Sequence, residues 1–153
     1  MSKNTIVLKK YLDIQFEAAA AAAITPGMLV EITSSGTVQA HSTAGGNQTP
    51  QFAIEDALQG KTIADAYEAL EQVRVRIAQR GDEIYALLKN GETAVIGSLL
   101  ESDGAGSLAV HVADGSAASN LTNQIVGYAL EALDLSDSSA IDLNMYRIQI
   151  RVI

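Results

Sequence analysis

The chain has 153 residues, of which 48% are hydrophobic but only 5% aromatic and none Trp, so a single domain of this size must build its core from Val, Ile, Leu and Ala. A net charge of −8 argues against nucleic acid as a partner, since phosphate neutralisation needs a basic face. Zero Cys excludes disulfides and thiolate zinc sites.

Residues 1–24 read as an N-terminal arm. Lys3, Lys9 and Lys10 precede an Ala tract in the manner of a leader, but Asp13 and Glu17 interrupt the apolar segment that a signal peptide requires. No window reaches the ~18 apolar residues of a membrane span, so no membrane partner is expected. Ala favours helix, yet the run Ala18–Ala23 is too short to hold one alone in water. The arm is therefore expected to take its order from what it touches.

From Ile24 onward the pattern is β-like. "GMLVEIT" and "GTVQAH" flank "SSG" as strand, turn and strand, and "FAIEDAL" is a short apolar strand. In "GKTIADAYEALEQ" the spacing of Ile63, Ala66, Tyr67 and Leu70 predicts one short helix. "VRVRI" (Val73–Ile77) alternates strictly, and "DEIYALL" is a further strand bounded by Gly81 and the turn "KNGE". "LLES" and "SLAVHV" flank "DGAG" as a second hairpin, "DLSDSSAID" is a flexible connection, and "YRIQIRVI" closes the chain. There Ile148, Ile150 and Val152 share one face, and Arg147, Gln149 and Arg151 the other. Period two with one wet face is the mark of antiparallel strands.

The chain says much of this twice. Gly27, Leu29, Glu31, Gly36 and His41 align without a gap on Gly97, Leu99, Glu101, Gly106 and His111. "FAIEDAL" then matches "YALEAL", and "VRVRI" matches "YRIQI" (Tyr146–Ile150). These matches predict two halves, about 25–80 and 95–153, in one β domain spanning 25–153. A lone half would expose unpaired edges, so the two are expected to complete one another's sheet as a barrel or tight sandwich. The fold class is thus all-β and mainly antiparallel, a compact barrel or sandwich of two tandem halves with one short helix and an arm.

The chemistry that enzymes need is not legible. "LQGKT" ends like a phosphate-binding loop, but the position five before Gly60 must be Gly and is Glu55. A turn at Gly60 followed by Thr62 and Asp65 accounts for the triplet. His41 and His111 are the available imidazoles and read as strand-end residues facing solvent, a poor metal site without a carboxylate cluster. Asp134, Asp137 and Asp142 lack the Gly and terminal Glu of a calcium loop. "RGD" at Arg80–Asp82 begins a turn. No nucleophile elbow is present, so no catalytic residue, metal ligand or cofactor is assigned.

"ITPGMLVEITSSGTVQAHS", the arm with its small residues, the Gly/Ser-rich turns, "GDEIYALL" and the terminal strand together resemble the head decoration (cement) proteins of tailed bacteriophages. The "TP..L" lead into the first hairpin is similar to that of lambda-like members. This resemblance implies a non-enzymatic β-rich protein, commonly a homotrimer, made in the bacterial host cytoplasm and carried on the outer surface of the capsid. Its partner would be the major capsid protein, whose neighbouring subunits it clamps. A clamp needs a strand or arm able to pair with another chain. Residues 2–17 offer one, with Lys3, Ile6, Leu8, Lys9, Lys10 and Tyr11 as the capsid-binding residues and the lysines facing an acidic shell. Self-association is a second expectation, from the Ala- and Leu-rich "YALEALDL". The alternative is another virion surface module or a carbohydrate-binding one, which would present an exposed aromatic platform.

Overall fold

Alternating apolar residues and glycine-bearing turns lay down twelve short strands in the computed structural model, which describes residues 14–113, 123–137 and 146–153. The first module holds β1 (Ile14–Ala19), the hairpin β2 (Val30–Ile32) and β3 (Val38–Ala40), β4 (Gln51–Ile54) and β5 (Gln72–Ile77). Its ladders are antiparallel in the order β1-β5-β4, and the hairpin joins β4 through a bridge between Leu29 and Phe52. Val73 and Val75 point inward from β5 onto Ala20, Val30, Val38 and Tyr67, while Arg74 and Arg76 alternate outward.

The second module holds β6 (Glu83–Leu87), β7 (Thr93–Ala94), the hairpin β8 (Leu99–Ser102) and β9 (Leu108–Val110), β10 (Ile125–Ala129), β11 (Leu133–Asp134) and β12 (Arg147–Val152). Its main sheet runs β6-β12-β10-β8-β9, which is the order of the first module strand for strand. The match extends to single hydrogen bonds. Gly27 N–H donates to the Ala53 carbonyl at 2.8 Å, and Gly97 N–H to Ala129 at 2.8 Å. His41 N–H donates to Leu29 at 2.9 Å, and His111 N–H to Leu99 at 2.8 Å. Parallel bridges Ala20–Val38 and Leu88–Leu108 bring the first strand of each module back toward its hairpin. The all-β fold and the tandem repeat are therefore real, but five details differ from expectation.

The repeat begins earlier than 25 and 95, because each module opens with a strand, β1 or β6. Residues 14–24 accordingly belong to the folded domain and not to the arm: β1 pairs with β5 from Ile14–Ile77 to Ala19–Gln72, and Ala20 and Ile24 are buried. Ladder pairing and burial here outweigh the helical preference of Ala. The register of "VRVRI" is on Ile148–Val152, two residues past the sequence match, since β4 pairs Ala53 with Val75 where β10 pairs Ala129 with Ile150. A slip of two leaves every side chain on its own face, so alternation cannot detect it.

The expected helix around Tyr67 does not form. Tyr67 is buried, its hydroxyl donates to the Ile54 carbonyl at 2.7 Å, and its backbone pairs with Ile24. That anchoring draws the segment into an extended path and leaves Leu70 at φ 72°, with its N–H on the Ala20 carbonyl. A 3-10 turn forms just upstream instead, at Ala57–Gln59, closed by left-handed Gly60.

Finally, the modules share no sheet and close no barrel. Each carries its own core, and the two meet at a seam where Leu29, Phe52 and Ala78 of the first module are buried in the core of the second.

Candidate functional site

The seam between modules gathers the polar groups that the sequence scatters. Hairpin β2–β3 delivers His41 to it, and β8 delivers Ser102; both side chains are buried, with His41 Nδ1 2.7 Å from Ser102 Oγ. His41 Nε2 lies 3.7 Å from Glu31 Oε2. Glu31 Oε1 also accepts from Ser42 Oγ at 2.6 Å and from Gln39 Nε2 at 2.7 Å. The Ser42 hydroxyl, helped by Gln39 and His41, holds the Glu31 carboxyl below the usual carboxylate range against the opposing effect of burial.

Ser, His and Glu in contact resemble a nucleophile and its base, yet both Ser102 and His41 are enclosed between the modules. Ser102 Oγ in addition accepts the Gly104 N–H at 3.1 Å. The trio works as a seam contact. The expectation of solvent-facing histidines is thus corrected: His41 is buried, and His111 is mostly buried with Nδ1 2.6 Å from Glu101 Oε2. The repeat already paired Glu31 with His41 and Glu101 with His111, and that doubled Glu–His spacing was the available signal.

Arg147 is a second correction. Placed by alternation on a wet face, it is buried, and Nη2 donates to the carbonyls of Pro26 at 2.9 Å and Ile63 at 2.5 Å. The first module supplies those acceptors, and sequence alternation is blind to a module packed on the far side. Around it the seam is largely main chain: Leu29 N–H donates to Gly106 at 2.8 Å, and Gly45 N–H to the Ser102 carbonyl at 2.8 Å.

Beside the seam a cleft of about 510 Å³ is lined by Glu31, His41, Gln48, Gln51 and Gln124, among others. Gln124 braces its floor, accepting from Gln48 N–H at 2.7 Å and donating to the Gln48 carbonyl at 2.9 Å. Gln48 Nε2 and Oε1 and Gln51 Oε1 are buried with no hydrogen-bond partner. Such a cleft can hold a polar ligand by hydrogen bonds. No group of three or more His, Asp or Glu among the described residues is placed to share a metal ion.

The sequence-assigned capsid residues Lys3, Ile6, Leu8, Lys9, Lys10 and Tyr11 lie outside the described residues, as does Asp142. The "GKT" and "RGD" triplets are turns. Thr62 N–H and Oγ1 both donate to Asp65 Oδ2, at 2.7 and 3.0 Å, and Asp82 Oδ2 accepts Gln79 N–H at 2.9 Å.

No protein-family model matches this chain. No curated protein matches it either. Among solved structures it is similar to the head fiber gp8.5 N base in bacteriophage phi29, with a TM-score of 0.56 at 11% identity, over 93% of this chain and 95% of that one. At that identity the likeness is one of fold.

Proposed function

We propose that this chain is a non-enzymatic structural protein of a phage virion that binds the outer capsid surface as a homotrimer and clamps adjacent major capsid subunits. The observation that carries the reading is the fold likeness to the phi29 head fibre base over nearly the full length of both chains. The position of the arm supports it. Residues 2–13 precede β1 in the sequence, and among the described residues β1 is the end strand of its ladder, paired with β5 alone. An edge strand of this kind offers unpaired backbone to a second chain, whose sequence matters little. Ile6, Leu8 and Tyr11 would extend that edge along the shell, with Lys3, Lys9 and Lys10 on its acidic groups.

Co-sedimentation with purified capsids tests the proposal. The full chain is expected in the capsid pellet, and a chain lacking residues 2–13 in the supernatant while retaining its fold by circular dichroism. Equal pelleting of both chains refutes the arm, and absence of the full chain from the pellet refutes the capsid role. The amide-lined cleft favours a second reading, a carbohydrate-binding surface module, which binding on a glycan array would support.

A further inference from the structure

Because the modules share one fold, the seam residues of the matched strands have counterparts on the other module, and several of these pairs are buried very unequally. Leu29 is 0% exposed, while its counterpart Leu99 is 42% exposed. Ala78 is 4% exposed and its counterpart Ile153 48%. Pro26 is buried under Arg147, but Ile96 in the matching place is exposed, as is Val95 beside it. The second module thus presents to solvent the same face with which the first module docks, with Ile96 and Ile153 in the places of Pro26 and Ala78.

The receiving side shows the reverse. Ser102 is 1% exposed beneath His41, whereas its counterpart Ile32 on the first module is 52% exposed. Gly106 is so closely covered that a Cβ there would lie 3.0 Å from Ala40 and 3.2 Å from Met28, whereas nothing stands within 4 Å at the matching Gly36. One docking face and one receiving face are joined inside the chain, and one of each is left over.

We propose that the leftover faces join between chains: a second copy of this protein seats its first-module face, at Ile32 and Gly36, on the Leu99 face of the first copy. The interchain junction repeats the internal seam. Its occupant is identified by the seam itself, which shows what covers this face when it is covered: a module of the same fold. The junction uses two different surfaces, so it is head-to-tail and propagates until the rotation closes a ring. This inference rests on the homotrimer part of the proposed function and gives it an interface of stated residues, without calling on the capsid.

Light scattering on the full chain in capsid-free buffer tests it, with Leu99→Asp and Ile32→Asp as variants; both residues are exposed, so neither charge enters a core. The wild type is expected as a closed oligomer at micromolar concentration. Each variant should be monomeric there, with association weakened about 30-fold or more. An equimolar mixture of the two variants, at raised concentration, should regain a dimer, because each brings the face that the other has lost. If Leu99→Asp fails to fold, Ile96→Asp on the same face replaces it with the same expectation. A monomeric wild type, a variant that assembles like the wild type, or a mixture that stays monomeric overturns the proposal. A chain that assembles this way yet ignores capsids would refute the capsid reading alone.

Discussion

The first and second modules have the same ladders and different neighbours, and the neighbours decide what each residue does. Phe52 on β4 is buried in the core of the second module, while Tyr128, at the same place on β10, is half-exposed and accepts from Arg151 Nη1 at 3.2 Å through its hydroxyl. His41 is enclosed at the seam, while His111 pairs with Glu101 near the surface. Arg147 is sealed against Pro26, while Gln72, at the same place on β5, is exposed. The two modules share one topology, and packing one on the other makes their equivalent faces chemically distinct.

Paired substitutions sharpen that comparison. The largest difference is expected at Phe52→Ala against Tyr128→Ala. Emptying the buried site should lower unfolding free energy by about 3–5 kcal/mol, against about 1 kcal/mol at the half-exposed one, measured by urea denaturation of monomeric protein. Equal losses would break the claim that Phe52 belongs to the second module's core. Arg147→Met comes next. It removes charged hydrogen bonds to two carbonyls of the first module and should cost about 2–3 kcal/mol, while Gln72→Met stays within about 0.5 kcal/mol.

Gly106→Ala and Gly36→Ala impose the same left-handed strain, at φ 90° and 81°, but only Gly106 also has Ala40 and Met28 against the new methyl. The melting temperatures should therefore reveal an excess loss of about 1–2 kcal/mol at Gly106.

The smallest effect concerns acid. Asp134 on β11 accepts from the Ser136 hydroxyl, from Ser136 N–H and from Thr93 Oγ1, and these bonds lower its pKa from 3.8 to about 2. A depressed carboxylate stabilises the fold above its unfolded pKa and ceases to as the pH falls through the folded value. The melting temperature of wild type over Asp134→Asn should thus narrow as pH is lowered from about 4 to about 2. The matching residue in the first module, one past Tyr67 of the Ile24–Tyr67 bridge, is Glu68, also exposed.

Sequence reading reached what local pattern controls. Alternation found β5 and β12, and the gapless match of Gly27–His41 to Gly97–His111 found two hairpins whose registers agree pair for pair, Val30–Ala40 with Leu100–Val110. It missed what depends on a distant partner. In β1 the Ala residues give no alternation to read, and their partner Val73 lies far along the chain. Tyr67 sits at helical spacing but is claimed by Ile24 and the Ile54 carbonyl. Arg147 and His41 read as exposed because the group that buries each belongs to the other module. Of the candidate site, the Glu–His repeat was legible, whereas the cleft formed by Gln48, Gln51 and Gln124 arises only where the start of β4 meets the approach to β10.

The reliance of the seam on carbonyl and amide groups has a consequence for inheritance. Gly106, Ser102, Pro26 and Ile63 each contribute a backbone oxygen, which mutation of the side chain leaves in place. A lineage built this way can exchange nearly all its letters while the angle between its lobes persists, so ancestry would outlast its own spelling.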